Sequence, residues 1–254
     1  MPLRRVLVLS ALVVGSMAPD FHYFLNLAPK GHFGHTVKGI FFFCLPIGLA
    51  VLWVFQTIMK EPLISLAPEN HQQKLVSLAA PFRWGPPLRF LLILLSLLVG
   101  AISHLAWDAF THDRGLIVRN FPDLRSPAFE EFGTERPLYN FLQHGSSLAG
   151  LALLAWWYWR WFKRTPPQSV PSDRQLAART KAWITASLAV VAVGVSAAYA
   201  YGRSHHFRHL PFSLGIFVVT LMSTVFIEAV FFSLWWHWRQ KRLSNRTSEL
   251  VTYR

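Results

Sequence analysis

The sequence predicts an all-α protein, a polytopic bundle of transmembrane helices with about six membrane elements. Three observations carry that expectation. The 254 residues are 53% hydrophobic and only 15% charged, whereas soluble domains carry about 25% charged residues. Apolar runs of nearly twenty residues recur along the chain, the length that crosses a hydrocarbon core about 30 Å thick. The 11 Trp and 21 Phe fit lipid-facing surfaces and interfacial belts. A formal net charge of +13 would suggest nucleic acid in a soluble protein. Here the basic residues flank apolar runs, where they set topology, so the expected partner is the lipid bilayer and not nucleic acid; oligomeric state stays open. The single cysteine, Cys44, lies within an apolar run, which excludes an intrachain disulfide framework and a cysteine-based metal site.

One integral-membrane domain is expected over residues 1–254. Residues 1–165 hold the chemistry, 166–181 form a cytoplasmic linker, 182–238 the last two spans and 239–254 a basic tail. Val6 to Met17 is apolar but short for a span. Met1 to Arg5 resembles the charged start of a signal peptide, and Gly15 to Ala18 offers small residues for a peptidase. Pro19-Asp20 follows at once, so the segment reads as a short membrane-entering helix. Gly39 to Met59 is the first full span, with a kink expected at Pro46 and Gly48. Lys60 to Pro87 reads as a polar, proline-rich connection, and Leu88 to Trp107 as the next span. Asp108 to Asn140 is expected to be a long loop, of a length that is often functional. Leu142 to Phe162 is another span, ending in the aromatic cluster Trp156 to Trp161. A linker, Thr165 to Ser172, precedes the spans Ala182 to Tyr201 and Pro211 to Trp236.

With six elements, 17 of the Lys and Arg residues fall on one side and 8 on the other. By the positive-inside rule both termini are cytoplasmic, in the cell inner (plasma) membrane. Nine of the 11 histidines then face outward, leaving only His71 and His237 elsewhere. Four residues apart on one predicted helix stand His104, Asp108 and His112, a stripe of two imidazoles and a carboxylate of the kind divalent metals accept. Intramembrane ionisable groups are functional more often than not, although a helix leaving the lipid also acquires polar residues. Asp20 is either a ligand or a helix cap. His35 follows Gly34, which permits close approach of another group, while His32 reads as a solvated loop residue. His144 opens a span where backbone N–H groups are free, and Asp113 lies beside the stripe. His205, His206 and His209 read as a loop feature rather than a ligand set. Glu228, mid-span, is structural or proton-handling.

Arg4 through Phe21, Gly34-His35-Thr36, Gly100 through His112 and Leu142 through Ser147 together resemble a bacterial family of polytopic membrane proteins, domain of unknown function 4184. The similarity covers most of the chain and is strongest from Arg4 to Trp161. That family is itself similar to predicted membrane-bound metal-dependent hydrolases, which share the Pro-Asp, Gly-His and His-x-x-x-Asp elements. Its chains usually carry a Ser-His-Pro segment ahead of the residues that are Pro2 to Arg5 here. The resemblance therefore leaves two expectations, a start assigned late or a site lacking one ligand.

The resemblance implies an integral membrane hydrolase with one or two divalent metals, zinc above all, at the membrane–water boundary. Asp20, His35, His104, Asp108 and His112 would be the metal ligands, and His144 and Asp113 catalytic residues, with His144 a ligand or general acid. Arg114 and Arg119 could hold an anionic phosphoester or lipid-linked substrate. Two other classes compete: a structural or assembly protein whose polar cluster only packs helix ends, and a transporter centred on Glu228 and the Pro46 span.

Overall fold

The computed structural model describes residues 7–131, 134–203 and 210–252; Arg4, Arg5, His205, His206 and His209 lie outside them. The chain is almost wholly helical. The first helix, α1 (Leu9–Met17), leads through a 3₁₀ turn (Ala18–Asp20) into α2 (Phe21–Asn26). A further 3₁₀ turn, Phe33–His35, precedes α3 (Val37–Leu66). The expected break at Pro46 takes the form of a π turn over Ile40–Cys44, where the Leu45 N–H reaches back to the Ile40 carbonyl. The wider turn lets the helix continue through a residue that lacks an N–H. A second π turn follows at Phe55–Met59.

Then come α4 (Glu69–Leu75), α5 (Pro87–Thr111), α6 (Leu116–Asn120), the strands β1 (Pro127–Glu131) and β2 (Thr134–Pro137), α7 (Leu138–Arg164), α8 (Ala178–Arg203) and α9 (Leu210–Thr252). Two expectations are corrected here. The polar connection after Met59 is largely helical, because α3 runs on to Leu66 and α4 follows. The loop from Asp108 to Asn140 is instead the last turn of α5, α6, an antiparallel β1–β2 hairpin and the start of α7.

Among the described residues, four helical stretches are long and apolar enough to cross a membrane: Val37–Leu66, Pro87–Asn120, Ser172–Arg203 and Phe212–Asn245. The 27 residues of α7 extend about 40 Å, but its second half is dominated by Trp, Tyr and Arg. The nine residues of α1 reach only about 13 Å, too short to span.

Packing of α1 against α5 organises the rest. The Val8 N–H meets the Ser96 hydroxyl at 2.9 Å and the Ser16 carbonyl meets His104 at 2.7 Å, both across a sequence offset of 88. The two helices therefore run parallel, and α3 returns between them. Gly15 and Gly100 set the separation. A Cβ on Gly100 would lie 2.3 Å from the Leu12 carbonyl oxygen, and one on Gly15 would lie 2.2 Å from that of Leu97. Small residues allow such backbone contact, which stabilises helix pairs where no water can be expelled. Beneath the site, Ala18, Phe21, Ile40, Cys44 and Ala101 form one buried cluster; Ala11, Leu52, Ile93 and Leu97 form a deeper one, joined by Phe82 and Trp84. From α9, Ser223 reaches the Phe24 carbonyl and His237 the Ile58 carbonyl, so it lies along both ends of the bundle.

Candidate metal centre

Ser16 lies in the last turn of α1, where helix carbonyls come free of their own ladder. Its oxygen accepts a hydrogen bond from His104 Nδ1 at 2.7 Å. A carbonyl can only accept, so Nδ1 carries a proton, and Nε2, which donates to the Asp108 carboxylate when no metal is bound, is the nitrogen that a metal would take. Metal-binding histidines are oriented by this kind of second bond. The Gly15–Gly100 contact makes it possible, since any side chain there would push the carbonyl out of reach.

The 3₁₀ turn after Met17 carries Asp20 to the same end. Asp20 sits at the start of α2 but makes no side-chain cap, so its carboxylate is free for other work. His35 arrives on its own 3₁₀ turn, which is seated directly on Pro19. A Cβ on Gly34 would lie 2.4 Å from the Pro19 oxygen, so the close approach read from the Gly-His pair is present. The Thr36 hydroxyl then accepts from the Gly39 N–H at 2.9 Å and starts α3.

These side chains converge. His35 Nε2 lies 3.3 Å from Asp20 Oδ1 and 3.3 Å from Asp108 Oδ2, while His104 Nε2 lies 3.7 Å from Asp20 Oδ1 and 3.1 Å from Asp108 Oδ2. One ligand atom each from Asp20, His35 and His104 falls within 4.8 Å of the others. A tetrahedral site with bonds of about 2.0–2.1 Å has edges of about 3.3 Å, so the donor spacing and the N/O chemistry both suit zinc. All four side chains are partly shielded from solvent.

The cluster also perturbs its own protonation. Hydrogen bonding to Asp108, and next to Asp20, pushes His35 up to about 9 against the opposing effect of burial. With no cation present, His35 is then an imidazolium held between two carboxylates. Tyr23 stacks on His35 with ring centroids 6.0 Å apart. Its hydroxyl is pushed up to about 12, first by burial and then by the charges of Asp20 and Asp108.

The structure thus unites Asp20, His35, His104 and Asp108, and it modifies the expectation for His112. Helix α5 ends at Thr111 and His112 is already extended, with φ −119° and ψ 143°. His112 keeps its i,i+4 contact with the stripe from beyond the helix end, with its Nδ1 3.3 Å from the other oxygen of Asp108, Oδ1. Asp113 is exposed and ion-paired with Arg125 at 3.3 Å, and the same guanidinium also donates to its carbonyl. His144 is exposed on α7, in the turn whose Ser146 hydroxyl accepts from Trp107 Nε1 at 3.2 Å. His32, Arg114 and Arg119 are exposed, and His22 stacks on Phe43. Sequence reasoning missed the Ser16 carbonyl and Tyr23. The small residues Gly15 and Gly100, facing each other on two apolar helices, were the available signal for the first.

A family model described as Domain of unknown function (DUF4184) matches residues 1–234. The chain belongs to this family. No curated protein and no solved structure matches it. Every residue of the cluster, with Tyr23 and Ser16, falls inside the matched region, and the family's description assigns no activity.

Proposed function

We propose that the protein is a metal-dependent hydrolase of the cell inner membrane, with zinc held by Asp20, His35 and His104 and completed by Asp108. The observation that carries this reading is the commitment of His104 Nδ1 to the Ser16 carbonyl, which turns Nε2 toward the carboxylates of Asp20 and Asp108 as the nitrogen that would bind the metal once its proton is displaced. A divalent metal there supplies Lewis-acid polarisation of a substrate oxygen and lowers the pKa of a water toward about 7. His112 orients Asp108 through its second oxygen. His144, exposed beside the α5–α7 contact, is the general acid of this reading, and Asp113, held by Arg125, is left without a proton-transfer role. Arg114 and Arg119 attract a phosphoester or lipid-linked anion at headgroup depth.

A cytoplasmic carboxyl-terminal tail is supported by the division of Lys and Arg: leaving out Arg4 and Arg5, which precede the short α1, it is 15 to 8 in favour of the side that carries Arg239 to Arg254. It is supported too by the grouping of Lys74, Arg174 and Lys181 contacts at the end of the bundle away from the cluster. A second reading, a structural membrane protein, draws on the same ion pairs: an imidazolium at His35 between two carboxylates pins α2, α3 and α5 without any metal. Metal analysis of the purified protein decides between them. The proposal expects bound zinc that His104→Ala and Asp20→Asn lose, together with hydrolysis of an aryl phosphodiester or a lipid phosphate in mixed micelles. A wild-type protein that purifies and reconstitutes metal-free overturns it.

A further inference from the structure

Glu228 lies midway along the Phe212–Asn245 span, on the side of α9 that faces α8. Both of its carboxylate oxygens are buried, and neither has a hydrogen-bond partner among the described residues. Its polar neighbours on the same helix bond to backbone carbonyls. Ser233 donates to the Ala229 carbonyl at 2.6 Å, and the one Ser223 proton is shared between the Val219 carbonyl at 2.9 Å and the Phe24 carbonyl at 3.2 Å. Neither Glu228 oxygen makes such a bond, and in its ionised form the group only accepts while the mid-helix N–H groups are already used. The missing donor has to come from outside the helix.

Beside Glu228 the α8–α9 seam opens into a cavity of about 350 Å³, lined by Ile184, Leu188, Phe231, Phe232, Trp235 and Glu228 itself. That volume falls at the small end of ligand sites, which combine apolar walls with very few polar groups. Three of the six lining residues are aromatic, and the Phe232 and Trp235 rings stand 5.8 Å apart. Aromatic faces around one carboxylate form a setting that recognises an organic cation. Phe231 and Trp235 are themselves exposed, so the cavity opens sideways to the hydrocarbon.

We propose that this cavity is a second, intramembrane binding site that takes a lipophilic amine, with the ammonium on Glu228 and the alkyl chain along Leu188, Phe231 and Trp235. The site is independent of the Asp20–His35–His104 cluster. Its test is saturable binding of radiolabelled dodecylamine to the full-length protein in lipid nanodiscs, with dodecanol as the uncharged comparator. Wild type is expected to retain the amine at least about tenfold more tightly than the alcohol, the effect of one charged hydrogen bond. Glu228→Gln is expected to erase that preference. Leu188→Trp, which fills the cavity and keeps the carboxylate, is expected to weaken amine binding while leaving helicity unchanged. Equal retention of amine and alcohol by wild type overturns the proposal, as does a folded Glu228→Gln protein that keeps the preference. Should Glu228→Gln fail to fold, the wild-type preference and the Leu188→Trp result decide.

Discussion

Both ends of the bundle carry a histidine held by a neighbouring segment, and the two are held in opposite ways. At one end His104 gives one nitrogen to a backbone carbonyl, and its other nitrogen faces two carboxylates. At the other end His71 bonds the Tyr158 hydroxyl, lies parallel to the Tyr158 ring and tilts against Phe162. Around His71 the charged groups are already matched: Lys74 reaches the Phe162 carbonyl, Lys181 reaches Ala67 and Gln72, and Arg174 pairs with Glu61. Donors there end on acceptors, so the network closes on itself. At the His104 end, two imidazoles share two carboxylates at 3.1–3.7 Å, a set of N and O atoms whose protons a divalent cation could replace. The second nitrogen of His104 faces groups that a metal could share, whereas among the described residues that of His71 does not.

The sharpest break of this contrast is His104→Ala, which should reduce bound zinc from stoichiometric to background on metal analysis, while His71→Ala leaves it unchanged. Gly100→Val should come next. Its side chain would meet the α1 backbone, and overpacking of this kind costs about 1–3 kcal/mol. The expected signs are a lowered thermal midpoint and weakened zinc binding together. Gly194→Ala, with open space around its Cβ position, is the matched control and should not lower the midpoint. His112→Ala should leave a site that still binds zinc, weaker by about 10–100-fold as for other groups that orient a ligand; competition with a chelator would read this.

The smallest effect is a pH slope. His35 holds its proton more tightly in the fold than in the unfolded chain, where the pKa is 6.5. That proton therefore stabilises the metal-free protein fully below about pH 6.5, and the stabilisation is lost as pH rises through about 9. Zinc needs the same nitrogen deprotonated, so its affinity should run the other way, rising toward pH 9 and then levelling. His35→Asn should flatten the stability slope in thermal melts of the metal-free protein.

Much of the site was legible in residue spacing. His104 and Asp108, four apart, do share a helix face, and the acids and imidazoles from distant segments do gather at one end. At the last member of the stripe, His112, the backbone is already extended beyond Thr111, yet its ring still meets Asp108 at 3.3 Å. The Ser16 carbonyl was not legible at all, since a backbone acceptor has no residue type to advertise it. The hairpin inside the supposed loop was hidden for a different reason: Phe129 and Arg136 pair across strands of five and four residues, too short for a period-two pattern to stand out. The span count diverged at α1, where apolar composition outran length. At α7 it was the reverse, with length enough but a helix end crowded with tryptophan.

The parallel course of α1 and α5 has an electrostatic consequence. Each α-helix behaves as if about half a negative charge sat at its carboxyl terminus; α1 ends at Met17, beside His104, and α5 runs on to Thr111, about 9 Å further at about 1.5 Å per residue. Dipoles aligned in that way repel along their length, a cost that antiparallel neighbours avoid. A positive ion held by His104 and Asp108 would lie at the α1 terminus and beside the last two turns of α5, and would offset that repulsion. The pair should therefore hold together more firmly with such an ion than without one, even where Asp20 has been made neutral.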